Sequence, residues 1–267
     1  MSDPKKSGSK TKIIAIANQK GGVGKTTTAI NLGTALAAVE KNVLLIDLDP
    51  QGNASTGLGI EPTERETTTY DLLLGDARLQ DVVCETQVPY LLVSPANTDL
   101  ASADIDLANT DNRTTRLRDV LNRAEVKDYN FDYILIDCPP SLNLLTVNAM
   151  AAADSVLVPL QSEFFALEGL SQLMLSIREV RQALNPTLRI EGVVLTMHDS
   201  RNNLSKQVEK DVRDNLGALV FKTVIPRNVR LSEAPSYAMP ALLYDHKSAG
   251  SIAYQKLAAE VLRRNHR

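Results

Sequence analysis

Residues 20–28 read Lys-Gly-Gly-Val-Gly-Lys-Thr-Thr-Thr and leave few choices for the fold around them. They follow an apolar stretch, residues 13–17, that is typical of a buried strand, and they lead into a predicted helix over residues 26–40. Glycines let successive backbone N–H groups turn inward around an anion, and the start of a helix adds positive charge there. The order strand, loop and helix favours a phosphate-binding loop over a chance turn of glycine and lysine.

The side chains of this loop have predicted roles. Lys25 can reach the β- and γ-phosphates of a nucleotide, and the Thr26 hydroxyl can bind Mg²⁺. The run fills the pattern Gly-x4-Gly-Lys-Ser/Thr except at its first position, where Gln19 replaces glycine and Lys20 adds a second lysine. The loop is therefore a deviant Walker A pattern. The predicted cofactors are ATP and Mg²⁺, and the loop residues predicted to bind them are Lys20, Gly21, Gly22, Val23, Gly24, Lys25, Thr26 and Thr27.

Short apolar stretches recur along the chain, with helical stretches between them. This alternation predicts a mostly parallel β-sheet with helices on both faces, the doubly wound α/β fold of P-loop NTPases. Ligands of such folds bind at the carboxyl ends of the strands, where the glycine-rich run lies. The predicted strands are residues 13–17, 43–48, 90–94, 133–137, 155–160, 190–195 and 220–224, and further helices are predicted over residues 163–184, 202–216 and 252–267.

The chain divides into a short tail and one domain. Residues 1–11 are polar and basic, with too little apolar surface to fold, and we expect a flexible tail. Residues 12–267 are predicted to form a single ATPase domain, because 43% hydrophobic residues are ample for one core.

Aspartates end two of the predicted strands. Asp47 and Asp49 lie in Asp-Leu-Asp-Pro-Gln-Gly-Asn, and Asp137 begins Asp-Cys-Pro-Pro-Ser. A carboxylate after an apolar strand is the Walker B arrangement, which holds Mg²⁺ through water. We assign that role to Asp137, a supporting role at the metal to Asp47, and orientation of the attacking water to Asp49. Each aspartate alone could equally be a strand-end cap, but the three together with the loop favour the functional interpretation.

Composition excludes several classes of protein. No apolar run approaches the roughly 18 residues that span a bilayer, and the polar N-terminus is unlike a signal peptide, which predicts a cytoplasmic protein. Cys84 and Cys138 lie far apart and indicate neither a disulfide framework nor a metal cluster. His198 and His246 have no partner at metal-ligand spacing. Residues 196–267 carry 12 Lys/Arg against 7 Asp/Glu, an excess that either attracts polyanions or is solvated surface charge.

From residue 12 to the C-terminus, the sequence resembles the ParA/Soj partition ATPases, which belong to the ParA/MinD group of deviant Walker A proteins. Four ordered motifs carry this resemblance, and together they are specific. They are Lys20-Gly-Gly-Val-Gly-Lys-Thr-Thr28, Asp47-Leu-Asp-Pro-Gln-Gly-Asn53, Asp137-Cys-Pro-Pro-Ser141 and Ile225-Pro-Arg-Asn-Val-Arg-Leu-Ser-Glu-Ala-Pro-Ser236.

The resemblance implies a chromosomal partition function. ATP would produce a homodimer in which Lys20 of one subunit reaches the phosphates bound by the other, in agreement with a second lysine at the loop. The dimer would bind double-stranded DNA without sequence preference, which makes it nucleoid-associated, and a ParB-type centromere-binding protein would stimulate hydrolysis. Asp49 matches the family's hydrolytic aspartate. Pro226 and Asn228 match the adenine-side loop, and Arg201 and Arg230 match positions implicated in DNA binding.

Other classes fit the sequence less well. A MinD-like ATPase would use residues 252–267 as an amphipathic membrane helix, but this stretch lacks Trp and Phe anchors and is better explained by packing on the domain. A nucleotide-gated adaptor with negligible turnover would not need Asp49. Iron proteins of this superfamily need paired cluster cysteines, which Cys84 and Cys138 do not provide. A dinucleotide dehydrogenase is excluded because no Gly-x-Gly-x-x-Gly opens the helix.

Overall fold

The structure is a computed structural model, and it describes residues 10–163 and 166–265. Three predicted segments therefore lie partly outside the described residues: most of the tail over residues 1–11, part of the helix over residues 163–184, and the last two residues of the chain.

Eight strands of the described chain form one sheet, in the order β3-β4-β2-β5-β1-β6-β7-β8. All neighbouring pairs are parallel except β3 and β4, which are antiparallel at one edge. The mostly parallel sheet is as predicted, and the two-residue strand β3 is an addition that is too short to give a pattern. The strands are β1 (Lys12–Ile16), β2 (Val43–Asp47), β3 (Cys84–Glu85), β4 (Leu91–Ser94), β5 (Tyr133–Asp137), β6 (Ser155–Gln161), β7 (Arg189–His198) and β8 (Val220–Pro226).

Helices connect these strands, and several begin at a side-chain cap. The Asn143, Asn202 and Asn228 side chains accept hydrogen bonds from backbone N–H groups of the helices that follow them. The α-helices are α1 (Lys25–Ala37), α2 (Asn53–Gly57), α3 (Thr69–Leu74), α4 (Leu79–Val82), α5 (Ala103–Asp106), α6 (Arg116–Leu121), α7 (Ala124–Asp128), α8 (Leu144–Ala152), α9 (Ala166–Ala183), α10 (Asn203–Leu216), α11 (Val229–Glu233), α12 (Ala241–Tyr244) and α13 (Ala249–Asn265).

The sheet separates two hydrophobic cores, which confirms the doubly wound arrangement. Successive residues of a strand point to opposite faces, so Ile14 and Ile16 join one core while Ala15 joins the other. Helices α1 and α13 cover the first face, and α6, α8, α9 and α10 cover the second. Both faces are therefore closed, and the carboxyl ends of the strands remain as the place for a ligand.

Helix α13 packs on the domain, as predicted from its apolar residues. Leu257 and Val261 are fully buried in the core that α13 shares with α1, and the Tyr254 hydroxyl lies 3.1 Å from the Thr28 hydroxyl. Glu260 accepts hydrogen bonds from the backbone N–H groups of Lys222 and Thr223, so α13 is also fixed to β8. In the part of the chain that the structure describes, no helix is both long and apolar enough to cross a membrane.

Candidate active site

The predicted site residues meet at one edge of the sheet because three neighbouring strands end there. Ile16, the last residue of β1, pairs with Asp137 of β5, and Asp137 pairs with Asp47 of β2. The chain leaves β1 into the glycine-rich loop, so this loop and the two aspartates lie at the same edge. Sheet register thus brings together motifs that are separated by about 120 residues of sequence.

The glycine-rich loop is anchored at several points. The Asn18 amide donates to the Pro159 carbonyl oxygen (2.7 Å), and the Thr196 hydroxyl donates to that of Val23 (2.8 Å). Gly22 and Gly24 have positive φ values of 74° and 85°, which favour glycine. Gly24 is also the N-cap of α1, and no side chain caps that helix. Its first N–H groups are therefore available to an anion, as the sequence predicted.

The two lysines of the loop make different contacts. Lys25 is buried, and its ammonium donates to the Lys20 carbonyl oxygen (3.0 Å). Burial lowers the Lys25 pKa, and the charge of nearby Asp137 partly opposes this. The half-exposed Lys20 side chain instead forms an ion pair with Glu163 of the same chain. Lys25 thus lies where the loop predicts it, whereas Lys20 has a partner that the sequence did not indicate.

Asp137 is buried without a partner. Within the described residues, neither of its carboxylate oxygens has a hydrogen bond, and the residue is fully buried. Burial, followed by the charge of Asp47, raises its pKa well above the usual value, and the nearby Thr26 hydroxyl and Lys25 ammonium only partly oppose this shift. A buried carboxylate without hydrogen bonds is costly, and a cation or its water ligands would compensate for that cost.

Asp47 and Asp49 already have hydrogen-bond partners. One Asp47 oxygen accepts from the backbone N–H (2.9 Å) and hydroxyl (2.7 Å) of Ser55, and the other accepts from the Asp49 N–H (3.2 Å). Burial nevertheless raises the Asp47 pKa to about 6. Asp49 accepts from the Gln51 N–H (3.0 Å) in a tight turn. In this structure Asp47 supports the loop that carries Asp49, and its role at a metal remains a prediction.

The donor set fits Mg²⁺ held together with phosphates. Among residues 10–163 and 166–265, no group of three or more His, Cys, Asp or Glu side chains is placed to hold a metal by itself. Mg²⁺ commonly keeps several waters and binds one or two carboxylates plus substrate phosphates. Asp137 and the hydroxyl of Thr26, which lies in the first turn of α1, suit this kind of site.

A cavity of about 480 Å³ adjoins the loop at the ends of β7 and β8. Pro226 and Asn228, to which the family resemblance assigns the adenine side, line it. The motifs include none of three other lining residues, Thr196, Met197 and Tyr254. Thr196 and Met197 lie near the end of the long apolar strand β7, and Tyr254 belongs to a helix whose apolar pattern indicates only core packing.

Arg201 and Arg230 lie on the surface and are both paired with carboxylates of their own chain. Arg201 forms two hydrogen bonds with Asp199, at 3.1 and 3.0 Å, and these bonds lower the Asp199 pKa to about 2. Arg230 pairs with Glu233 (2.8 Å) and with Asp245 (3.5 Å). No motif indicates these ion pairs, and they neutralise the two charges that the family resemblance assigns to DNA binding.

A second cavity, of about 610 Å³, lies between β8 and α13. Three exposed cations line it, and within the described residues none of them forms an ion pair with a carboxylate: Lys222, Lys256 and Arg263. The basic character of the last quarter of the chain therefore includes cations that the motifs did not single out.

Comparisons with known proteins agree with this geometry. A family model described as an AAA domain matches residues 11–190. The chromosome partitioning protein ParA of Caulobacter vibrioides (strain NA1000 / CB15N) is 62% identical over 253 residues, which are 95% of this chain and 94% of that protein. The sporulation initiation inhibitor protein Soj of Bacillus subtilis (strain 168) is 55% identical over 250 residues, 94% of this chain and 98% of that protein.

Similarity extends to solved structures. The crystal structure of cobyrinic acid a,c-diamide synthase from Mycobacterium smegmatis, with a bound ATP analogue and magnesium, superposes with a TM-score of 0.83 at 38% identity. The match covers 96% of each chain, so it includes the whole sheet and not only the glycine-rich loop.

Proposed function

Because this chain belongs to the ParA/Soj family of chromosome-partitioning ATPases, we propose that it hydrolyses ATP to control a DNA-binding homodimer that segregates chromosomes. One observation carries the catalytic part of the proposal: the buried, partnerless Asp137 lies at the same sheet edge as the loop that bears Lys25. The partition relatives, at 62% and 55% identity, are also more similar to this chain than the diamide synthase at 38%.

ATP binds with its phosphates along the glycine-rich loop and its base in the cavity beside Pro226 and Asn228. Lys25 exchanges its bond to the Lys20 carbonyl for the β- and γ-phosphates, and Thr26 and Asp137 are the residues that would hold Mg²⁺. When bound there, Mg²⁺ would supply positive charge that stabilises the phosphates during hydrolysis. The solved relative with an ATP analogue and magnesium supports this choice of cofactors.

Asp49 orients the attacking water. Its carboxylate now accepts a hydrogen bond from the Gln51 N–H, so the turn it closes must be held in place while the carboxylate receives the water. Asp49 is half-buried, and its charge acts on the Lys25 ammonium, which supports a position near the bound phosphates.

Dimer formation involves Lys20. In a single subunit this lysine pairs with Glu163, and in the ATP-bound dimer it leaves that partner to reach the phosphates of the other subunit. The added positive charge stabilises the charge that develops during phosphoryl transfer.

The dimer binds chromosomal DNA in the cytoplasm without sequence preference, and a ParB-type partner stimulates hydrolysis. Arg201 and Arg230 contact backbone phosphates, which give affinity that depends strongly on salt and carries no sequence information. Within residues 196–267, basic residues outnumber acidic ones, which supports the proposal that this part of the molecule faces DNA.

ATP-dependent dimerisation tests the proposal. Light scattering on the purified protein with Mg²⁺ and a slowly hydrolysed ATP analogue should give the mass of a dimer, and without nucleotide the mass of a monomer. Lys20→Ala should bind the analogue and stay monomeric, and Asp49→Ala should form the dimer without hydrolysing ATP. A monomer under all conditions would contradict the dimer, and normal hydrolysis by Asp49→Ala would contradict its catalytic role.

A further inference from the structure

Arg65 is a buried arginine behind the turn that carries Asp49, and no motif includes it. It is only 8% exposed, and burial lowers its pKa. All three nitrogens of its guanidinium donate hydrogen bonds inside the protein: Nε and Nη2 to the Ile60 carbonyl (3.2 and 2.6 Å), Nη1 to the Ala96 carbonyl (3.0 Å), and Nη2 to the Thr56 hydroxyl (2.7 Å). A buried guanidinium satisfied in this way is fixed in position.

One chain of hydrogen bonds leads from Arg65 through α2 to Asp49. The Thr56 hydroxyl, which accepts from Arg65, lies 3.2 Å from the Gly52 carbonyl oxygen to which it donates. The Gly52 N–H then donates to the Asp49 carbonyl (2.9 Å). Arg65 is thus three contacts from the backbone of Asp49.

A second chain reaches the same residue through the end of β4. Arg65 binds the Ala96 carbonyl, and the Ala96 N–H donates to the Ser55 hydroxyl (3.0 Å). Ser55 in turn donates to Asp47, and Asp47 accepts from the Asp49 N–H. Both sides of the Asp49 turn are therefore connected to one guanidinium.

The backbone of the turn also packs directly on Arg65. Gly52 has a positive φ of 61°, and a Cβ placed on it would lie 2.2 Å from Arg65 Nη1 and 2.8 Å from the Ala96 carbonyl oxygen. Only glycine leaves room for the guanidinium at this point. The backbone of the Asp49 turn therefore lies directly against the Arg65 guanidinium.

We propose that Arg65 is a positioning residue for ATP hydrolysis, which holds the turn of Asp49 so that its carboxylate can orient the attacking water. The inference rests on the proposed function, because it requires Asp49 to act on that water. Among the described residues, Arg65 makes no hydrogen bond to the phosphate loop or to Asp137, so we expect it to act on the chemical step and not on ATP binding.

Arg116 provides a matched control. It too donates to main-chain carbonyls, those of Leu73 and Leu74, and a Cβ on positive-φ Gly75 would lie 2.7 Å from its Nη2. It thus repeats the structural role of Arg65, an arginine that holds a glycine turn. It is the first residue of α6, however, and its hydrogen bonds lead to Leu73 and Leu74 at the end of α3 rather than to Asp49.

The test compares Arg65→Lys with Arg116→Lys in the full-length protein, with single-turnover hydrolysis at saturating ATP and Mg²⁺ and separate measurement of ATP affinity. Lysine keeps the charge but not the fork of donors. Arg65→Lys should lower the hydrolysis rate about tenfold or more, since small misplacements of catalytic groups are costly, and leave ATP affinity within about twofold. Arg116→Lys should also lower the melting temperature, but it should hydrolyse ATP at the wild-type rate.

A second pair keeps the test decisive if Arg65→Lys does not fold. Thr56→Val removes one acceptor of the guanidinium and should slow hydrolysis. Thr56→Ser keeps the hydroxyl and should hydrolyse ATP at the wild-type rate. Wild-type rates in both Arg65→Lys and Thr56→Val, or equal losses in Arg65→Lys and Arg116→Lys, would overturn the inference. Asp49→Ala in the same assay separates the two proposals, because full activity there would remove the catalytic role of Asp49 itself.

Discussion

The sheet edge that carries the phosphate loop and the surface that carries Arg201 and Arg230 differ in how their charges are partnered. At the sheet edge, Asp137 is buried and has no hydrogen bond among the described residues. On the surface, Arg201 is largely exposed and is bound twice by Asp199, and Arg230 is held by two carboxylates. The carboxylate at the sheet edge therefore lacks a hydrogen-bond partner among the described residues, whereas each surface arginine already has a carboxylate partner.

This difference predicts different behaviour toward ligands. A buried carboxylate without a partner makes the apo protein less stable and strengthens the binding of a cation. Exposed ion pairs contribute little to stability, so phosphates can displace Asp199 and Glu233 at small cost. Nucleotide binding should therefore depend on single residues, whereas DNA binding should depend on the balance of many charges.

The largest expected effect follows from removing the loop lysine. Lys25→Ala should weaken ATP binding by at least about 100-fold, because a buried cation at the phosphates is lost. Calorimetric titration with an ATP analogue measures this affinity. Lys127→Ala, which removes one positive charge from an exposed position, serves as the control. Tight ATP binding by Lys25→Ala would mean that the loop does not hold the phosphates in the expected way.

The sequence predicted the first region far better than the second. Motifs such as residues 20–28 and Asp137 are readable because strand ends and glycine loops have fixed local patterns. Arg65 has no such pattern: it follows a short 3₁₀ turn, and its partners are main-chain carbonyls that a sequence does not display. One acidic partner of Arg230 is likewise set by folding, since Asp245 is 15 residues away.

Reversing one surface charge should have the next largest effect. Arg230→Glu should reduce affinity for duplex DNA by about tenfold or more and flatten its salt dependence, because a phosphate contact becomes repulsive. Its ATPase activity without DNA should stay at the wild-type level. Arg178→Glu, on the exposed side of α9, is the matched control, and equal losses in both variants would point to net charge instead of a defined surface.

The buried carboxylates predict a dependence of stability on pH. Burial raises the pKa of Asp47 to about 6, so the folded state keeps this proton longer than the unfolded state does. The resulting stabilisation is present below about pH 4 and is lost as pH rises through about 6. Thermal unfolding of the nucleotide-free protein between pH 4 and pH 8 should therefore show a falling melting temperature, and a constant or rising melting temperature would contradict this effect of the buried carboxylate.

Asp137→Asn isolates the other buried carboxylate. The neutral amide has no charge to desolvate, so the nucleotide-free variant should be more stable than wild type at pH 7 by about 0.5–2 kcal/mol. It should also lose the stabilisation that Mg²⁺ with ATP gives to the wild type. A less stable apo protein would show that the Asp137 charge is already compensated in solution.

The smallest expected effect is a gain. Asp199→Asn removes the carboxylate that occupies Arg201, and DNA affinity should rise about two- to fivefold, because an exposed ion pair is worth at most about 1 kcal/mol. Fluorescence anisotropy at two salt concentrations measures the gain, and Asp211→Asn on α10 controls for the change in net charge. No difference between the two variants would leave Arg201 outside the DNA surface.

Binding to non-specific duplex DNA in four nucleotide states tests the central claim most directly. The wild-type protein is measured with no nucleotide, ADP, ATP and a slowly hydrolysed ATP analogue, and the series is repeated with lipid vesicles. The account predicts DNA binding only with the triphosphates, strongest with the analogue, and no binding to vesicles. DNA binding that is independent of nucleotide, or binding to vesicles instead of DNA, would contradict it.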